Sequence, residues 1–139
     1  MRKKGFSLIE LLTVVAIIGI IAAIGIVAYT GYVASARKTT AKNAMMQIGL
    51  AQAEYYSIIG QYYKTTTTCT EATTDNLTSG FIETNLFDGG DIITDESGYQ
   101  MCIVEDGSSY IITAESSRDD CTLTMSGVSG KPEEDEGSC

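Results

Sequence analysis

GFSLIELLTVVAIIGIIAAIGIVAYTGYV, residues 5–33, follows Arg2-Lys3-Lys4 and contains one charged residue, Glu10. From Leu11 to Ala36 the chain carries no charge at all. A helix needs roughly 20 apolar residues to cross a hydrocarbon core of about 30 Å. Leu11 to Tyr29 supplies nearly that length, and Tyr29 and Tyr32 stand where an interfacial aromatic belt is expected. The stretch therefore predicts a membrane-spanning helix. Glu10 is the anomaly, because an acid in lipid costs on the order of 2.5–3.5 kcal/mol on insertion scales and is functional by default. Its plainer reading is a carboxylate snorkelling to the headgroups from the end of the apolar run.

A secretory signal peptide would explain the basic start and would be cut after Ala36, at Ala34-Ser35-Ala36. Such a peptide has an apolar core of about 7–15 residues. The run here is longer, and Tyr29 to Val33 is bulky just ahead of the site. A secreted, soluble, disulfide-bonded binding domain thus ranks as the alternative from a different class.

The chain has 139 residues, nine basic against eighteen acidic, for a formal net charge of −9. Loss of the first five residues would make the balance more acidic still. An acidic surface repels a phosphate backbone, so direct nucleic-acid binding is not expected. The chain has no His, which removes the commonest general base and metal ligand. With no paired acids on a predicted cleft either, nothing can be assigned as a catalytic group, and the chain reads as no enzyme and as holding no cofactor.

Beyond the lipid stretch, apolar or aromatic residues recur at Ala34, Ala41, Met45, Ile48, Ala51, Tyr55, Ile58 and Tyr62. Steps of three, four and seven describe one buried helix stripe. Gln47, Gln52 and Glu54 fall on other faces by the same count. Gly60 is the expected stop, so one helix is predicted from about Phe6 to about Ile59. Residues 61–98 read as a long connecting loop with a short helical or strand piece around Leu77 to Leu86. Three β-like runs follow: Tyr99 to Val104, Tyr110 to Ala114, and Cys121 to Met125. Turn signals lie at Asp106-Gly107 and at Arg118 to Asp120. The expected fold is α+β, a long N-terminal helix on a three- or four-stranded antiparallel sheet.

Cys69, Cys102, Cys121 and Cys139 form no close CxxC pair, which argues against zinc. An even count in an exported head suggests two disulfides, with three connectivities open. Asp88, Asp91, Asp95 and Glu96 do not fit the EF-hand spacing and read as a solvated acidic loop. Asn76-Leu77-Thr78 matches a glycosylation pattern that is common by chance.

Gly5-Phe6-Ser7-Leu8-Ile9-Glu10-Leu11, preceded by Arg2-Lys3-Lys4, strongly resembles the prepilin signature of type IV pilins and type II secretion pseudopilins. The match continues through Val14-Val15-Ala16-Ile17-Ile18-Gly19-Ile20 into Ala28-Tyr29. Glu54-Tyr55-Tyr56 through Gly60-Gln61-Tyr62 is similar to the helix end of type IV pilins. Cys121-Thr122-Leu123-Thr124-Met125, with Gly130-Lys131 and Cys139, is similar to the C-terminal region of small and minor pilins.

The resemblance implies a type IV pilin-like fold in three parts. Residues 1–5 would be a leader peptide, 6–36 a transmembrane and assembly helix, and 37–139 a head. It implies cleavage between Gly5 and Phe6 by a prepilin peptidase and N-methylation of Phe6. Glu10 would then pair with the α-amine of a neighbouring subunit, a group with a reference pKa near 7.7–8.0. Pairing relieves the cost of burying either charge alone. The implied pairing of cysteines is Cys121 with Cys139, enclosing Pro132 to Gly137, and Cys69 with Cys102.

The implied function is a structural subunit of a type IV pilus, held in the bacterial inner membrane before assembly into an extracellular filament. Its implied partners are other pilin subunits, the prepilin peptidase, the assembly machinery and the membrane. Adhesion, twitching motility and DNA uptake are all admitted. A minor pilin or a type II secretion pseudopilin is the alternative, the latter disfavoured by the four cysteines and by the lack of an evident calcium loop. The chain departs from the family in one place. Val27 stands where a proline is common, and Gly19, Gly25 and Gly31 are left to soften the helix or to let neighbouring helices pack closely.

Overall fold

A computed structural model of the chain describes residues 5–70, 74–135 and 139. Arg2, Lys3 and Lys4 of the expected leader, and Glu136 and Gly137 of the acidic tail, lie outside the described residues. The chain divides into two compact units, Met1–Ala36 and Arg37–Cys139.

Helix α1 runs Leu8–Ile59 and contributes to both units. In the first unit every large apolar side chain from Leu8 to Ile26 is exposed, Ile20 at 65%. A helix apolar all round seeks lipid or other helices, and this one is long and apolar enough to cross a membrane. The helix passes Val27 without a break. A Cβ at Gly19, Gly25 or Gly31 would meet nothing within 4 Å.

The second unit is α+β, with the later half of α1 packed on a four-stranded antiparallel sheet in the order β1-β2-β3-β4. Strand β1 is Tyr99–Asp106, β2 Ser109–Ser116, β3 Thr122–Ser126 and β4 Glu133–Glu134. The register Ile103↔Ile112 and Ala114↔Leu123 places Tyr99, Met101, Ile103, Ile112, Ala114, Leu123 and Met125 in one core. Ala41, Ala44, Met45 and Ile48 of α1 complete it. Gly107, with φ +61°, makes the two-residue β1–β2 turn that the Asp-Gly pair signalled. Gly60, with φ +80°, ends α1, its N–H donating to the Tyr56 carbonyl at 2.8 Å.

Helix α2, Asn76–Leu86, fills the stretch that periodicity left as helix or strand. Its start is a capping box. The Thr78 N–H donates to Asp75 Oδ1 at 2.9 Å and the Asp75 N–H to Thr78 Oγ1 at 3.0 Å. Ser79 and Ile82 are buried, and α2 packs on β1. Thr78 of the Asn76-Leu77-Thr78 pattern is thus a buried cap. A 3₁₀ turn, Asp95–Ser97, leads into β1.

The outer edge of β1 is occupied by hydroxyl groups. The N–H groups of Tyr99, Met101 and Ile103 donate to Ser97 Oγ (3.2 Å), Ser79 Oγ (2.9 Å) and Thr65 Oγ1 (2.9 Å). The Thr65 N–H donates in turn to the Ile103 carbonyl at 2.9 Å.

Three sequence expectations are corrected. The helix begins at Leu8 rather than Phe6. The buried stripe is shorter than predicted and broader at its centre, since Ala34 and Ile58 are exposed while Ala44 joins the core. Gln52, placed by periodicity on another face, is fully buried. It is retained there because its amide serves the backbone: Nε2 donates to the Tyr63 carbonyl at 2.7 Å and Oε1 accepts the Tyr63 N–H at 2.8 Å. The chain leaving α1 is thereby tied back to the helix.

Candidate functional site

The amino-terminal constellation is built by the start of α1. Gly5, Phe6 and Ser7 are non-helical and exposed, so the Gly5–Phe6 peptide lies outside the helix that follows. The Ser7 N–H donates to Glu10 Oε2 at 2.9 Å. An acid three residues into the helix thus satisfies a backbone donor that has no partner in the helix. A negative charge in the first turn is also favoured by the helix dipole. Ser7-Leu8-Ile9-Glu10 is half of a capping box, a signal present in the sequence beside the more conspicuous acid-in-lipid anomaly. Phe6 is 77% exposed.

The head is closed covalently in two places. Cys69 bonds Cys102, with Cα atoms 5.8 Å apart, and Cys121 bonds Cys139 at 4.5 Å. The first bridge staples the connecting loop to β1, and the second closes the segment containing β4. That segment is also held to α1 by charge. Glu134 Oε2 lies 3.1 Å from Lys38 Nζ, and its Oε1 lies 2.7 Å from Lys42 Nζ. Lys38 and Lys42, four apart, share a helix face. The hydrogen bonds from Lys42 and Lys38 hold the Glu134 carboxyl below its usual value. Sequence reading assigned these lysines no partner, because the contact spans more than 90 positions.

At the far end of α1 five tyrosines gather. Tyr56 stacks on Tyr62 with centroids 4.5 Å apart, Tyr62 meets Tyr110 at 4.9 Å, and Tyr55 meets Tyr63 edge-on at 5.7 Å. Burial, then the neighbouring Tyr62, pushes the Tyr110 hydroxyl above its ordinary pKa. Burial does the same to Tyr63. Among the described residues no group of three His, Cys, Asp or Glu side chains is arranged to hold a metal ion. Asp88, Asp91, Asp95 and Glu96 form no such group.

Residues 1–26 match the family model of the prokaryotic N-terminal methylation motif, which is the leader signature of type IV prepilins. The long apolar N-terminal helix and the small antiparallel head give the chain a pilin-like α+β fold, and the motif supports a pilin-like protein. The motif supports a type IV pilin-like or pseudopilin precursor. No curated protein and no solved structure matched the chain.

Proposed function

We propose that this chain is a structural subunit of a type IV pilus. It enters the inner membrane as a precursor, is cut between Gly5 and Phe6, is methylated on Phe6, and polymerises with other pilin subunits into an extracellular filament. The observation that carries the reading is the order of parts at the amino terminus. A basic leader, a non-helical Gly5–Phe6 bond, the acid Glu10 and an exposed apolar helix follow one another without interruption.

Each part has a chemical task. The exposed, non-helical bond leaves the backbone accessible to a peptidase. Cleavage creates an α-amine four residues before Glu10, and a cationic amine favours a carboxylate partner once helices bundle away from water. Glu10 then exchanges its Ser7 N–H for the amine of a neighbouring subunit. The apolar helix supplies the surface that packs in the filament, and the acidic, doubly bridged head stays outside. The role is structural. A minor pilin shares every one of these parts and is the nearest alternative.

The intact mass and N-terminal residue of the protein from its native membrane test the processing step. A chain beginning at methylated Phe6 is expected, and one beginning at Arg37 would refute the proposal. Glu10→Ala is expected to leave cleavage after Gly5 largely intact while filament yield falls at least about tenfold, the scale of an unpaired buried amine. Normal assembly of that variant would refute the pairing role.

A further inference from the structure

The tyrosine stack borders a cavity that the proposed processing and assembly roles do not call on. It has a volume of about 230 Å³ and lies between the end of α1 and the β1–β2 turn. One wall is aromatic. The stack runs outward from Tyr110, 6% exposed, through Tyr62 to Tyr56, 46% exposed. Tyr56 is therefore a half-exposed ring braced from behind by two others. The rest of the lining is polar or glycine. It includes Gln61, Ser108, and Lys64 ion-paired with Glu105 at 2.5 Å.

The geometry points to a binding site for a neutral saccharide, a pyranose ring laid against Tyr56. Such a ring has an apolar C–H face and a rim of hydroxyls, and the cavity offers a surface for each. An immobilised aromatic face takes the apolar side with little entropy to lose. Carboxylate, ammonium, amide and hydroxyl groups supply acceptors and donors for the rim, two of them charge-assisted. Lys64 and Glu105 cancel each other, so the lining carries no net charge and suits a neutral ligand, although the chain as a whole is strongly acidic. A mostly preformed cleft with a few convergent polar groups is the usual form of a small-ligand site. The inference stands apart from the assembly reading, because binding is measured on unassembled chains.

The test uses the full chain labelled with 3-fluorotyrosine, in a detergent that has no sugar headgroup. Methyl glycosides of glucose, galactose, mannose and N-acetylglucosamine are titrated, with choline as a cationic control and ¹⁹F resonances as the readout. At least one glycoside is expected to give saturable shifts at Tyr56 and Tyr62, with a Kd of about 1 mM, as befits a ligand of a dozen heavy atoms. Tyr56→Ala should weaken that binding about tenfold or more, and Tyr56→Phe should stay within about threefold. Lys64→Met combined with Glu105→Gln, both at exposed side chains, should cost a similar factor and keeps the test open should Tyr56→Ala lose its fold. Absence of saturation with every glycoside, saturation that survives these substitutions, or saturation by choline instead would each overturn the proposal.

Discussion

Replacing Gln52 by Ala should be among the most damaging single changes in the head. Its side chain is fully buried, and both ends of its amide are spent on one residue, the N–H and the carbonyl of Tyr63. Truncation strands those two backbone groups, each worth about 1 kcal/mol or more when partly buried and unpaired. It also leaves a cavity where the amide stood. Together these give a loss of about 2–4 kcal/mol, or a roughly 30- to 1000-fold rise in the open population. Gln52→Leu fills the space but not the bonds and should recover only the cavity part. Urea denaturation of the full chain in micelles, followed by tyrosine near-UV circular dichroism, gives the first number. Hydrogen exchange at the Tyr63 amide gives the second. If Gln52→Ala stays within about 0.5 kcal/mol of the parent, the amide is not what holds the chain against α1, and the reasoning fails.

Gly127→Ala should be destabilising by about 1–3 kcal/mol, since its Cβ would lie 2.6 Å from Tyr110 Cε1 and 2.7 Å from Ser109 Oγ; Gly19→Ala, with open space around it, serves as the control in the same denaturation assay. Serine pairs at Cys69/Cys102 and at Cys121/Cys139 should cost roughly 4 and 3 kcal/mol, in that order, because the first bridge closes the longer loop. Equal or inverted losses in urea midpoints would argue against loop closure as the cause. Glu134 has a folded-state pKa below its usual 4.5, so its contribution is present above about pH 4.5 and is lost as pH falls through the lower value. With the carboxylate 41% exposed, the effect is small, within the about 0.2–1 kcal/mol of exposed pairs. It should vanish in Glu134→Gln and shrink in high salt, as read by the acid limb of a thermal-stability profile.

The long elements were legible because they rest on local rules. An uncharged run of that length can only be a helix meant for lipid or for other helices, and the Gly60 stop and the Asp106-Gly107 turn rest on backbone geometry that few residues satisfy. What escaped reading depended on partners distant in the chain. Gln52 looks like a surface residue by polarity, and only the return of Tyr63 makes its burial favourable. The two-residue β4 carries Glu133 and Glu134, poor strand formers, and is held by β3, by the neighbouring bridge and by two lysines of α1. The amino-terminal constellation was legible as a motif. The bond from the Ser7 N–H to Glu10 was not read, although Ser-x-x-Glu spells it, because the charge in lipid drew the interpretation first.

The hydroxyls along β1 bear on how such a chain tolerates its own crowding. An open strand edge is a template on which a second sheet can grow, and chains held side by side in a membrane meet at high local concentration. With Ser97, Ser79 and Thr65 occupying three successive outward N–H groups, and the Thr65 N–H occupying the Ile103 carbonyl, that template is already filled by the chain itself. Amyloid-like addition along this part of β1 is disfavoured. On the proposed function, self-association then falls to the apolar helix, where its geometry can be specified.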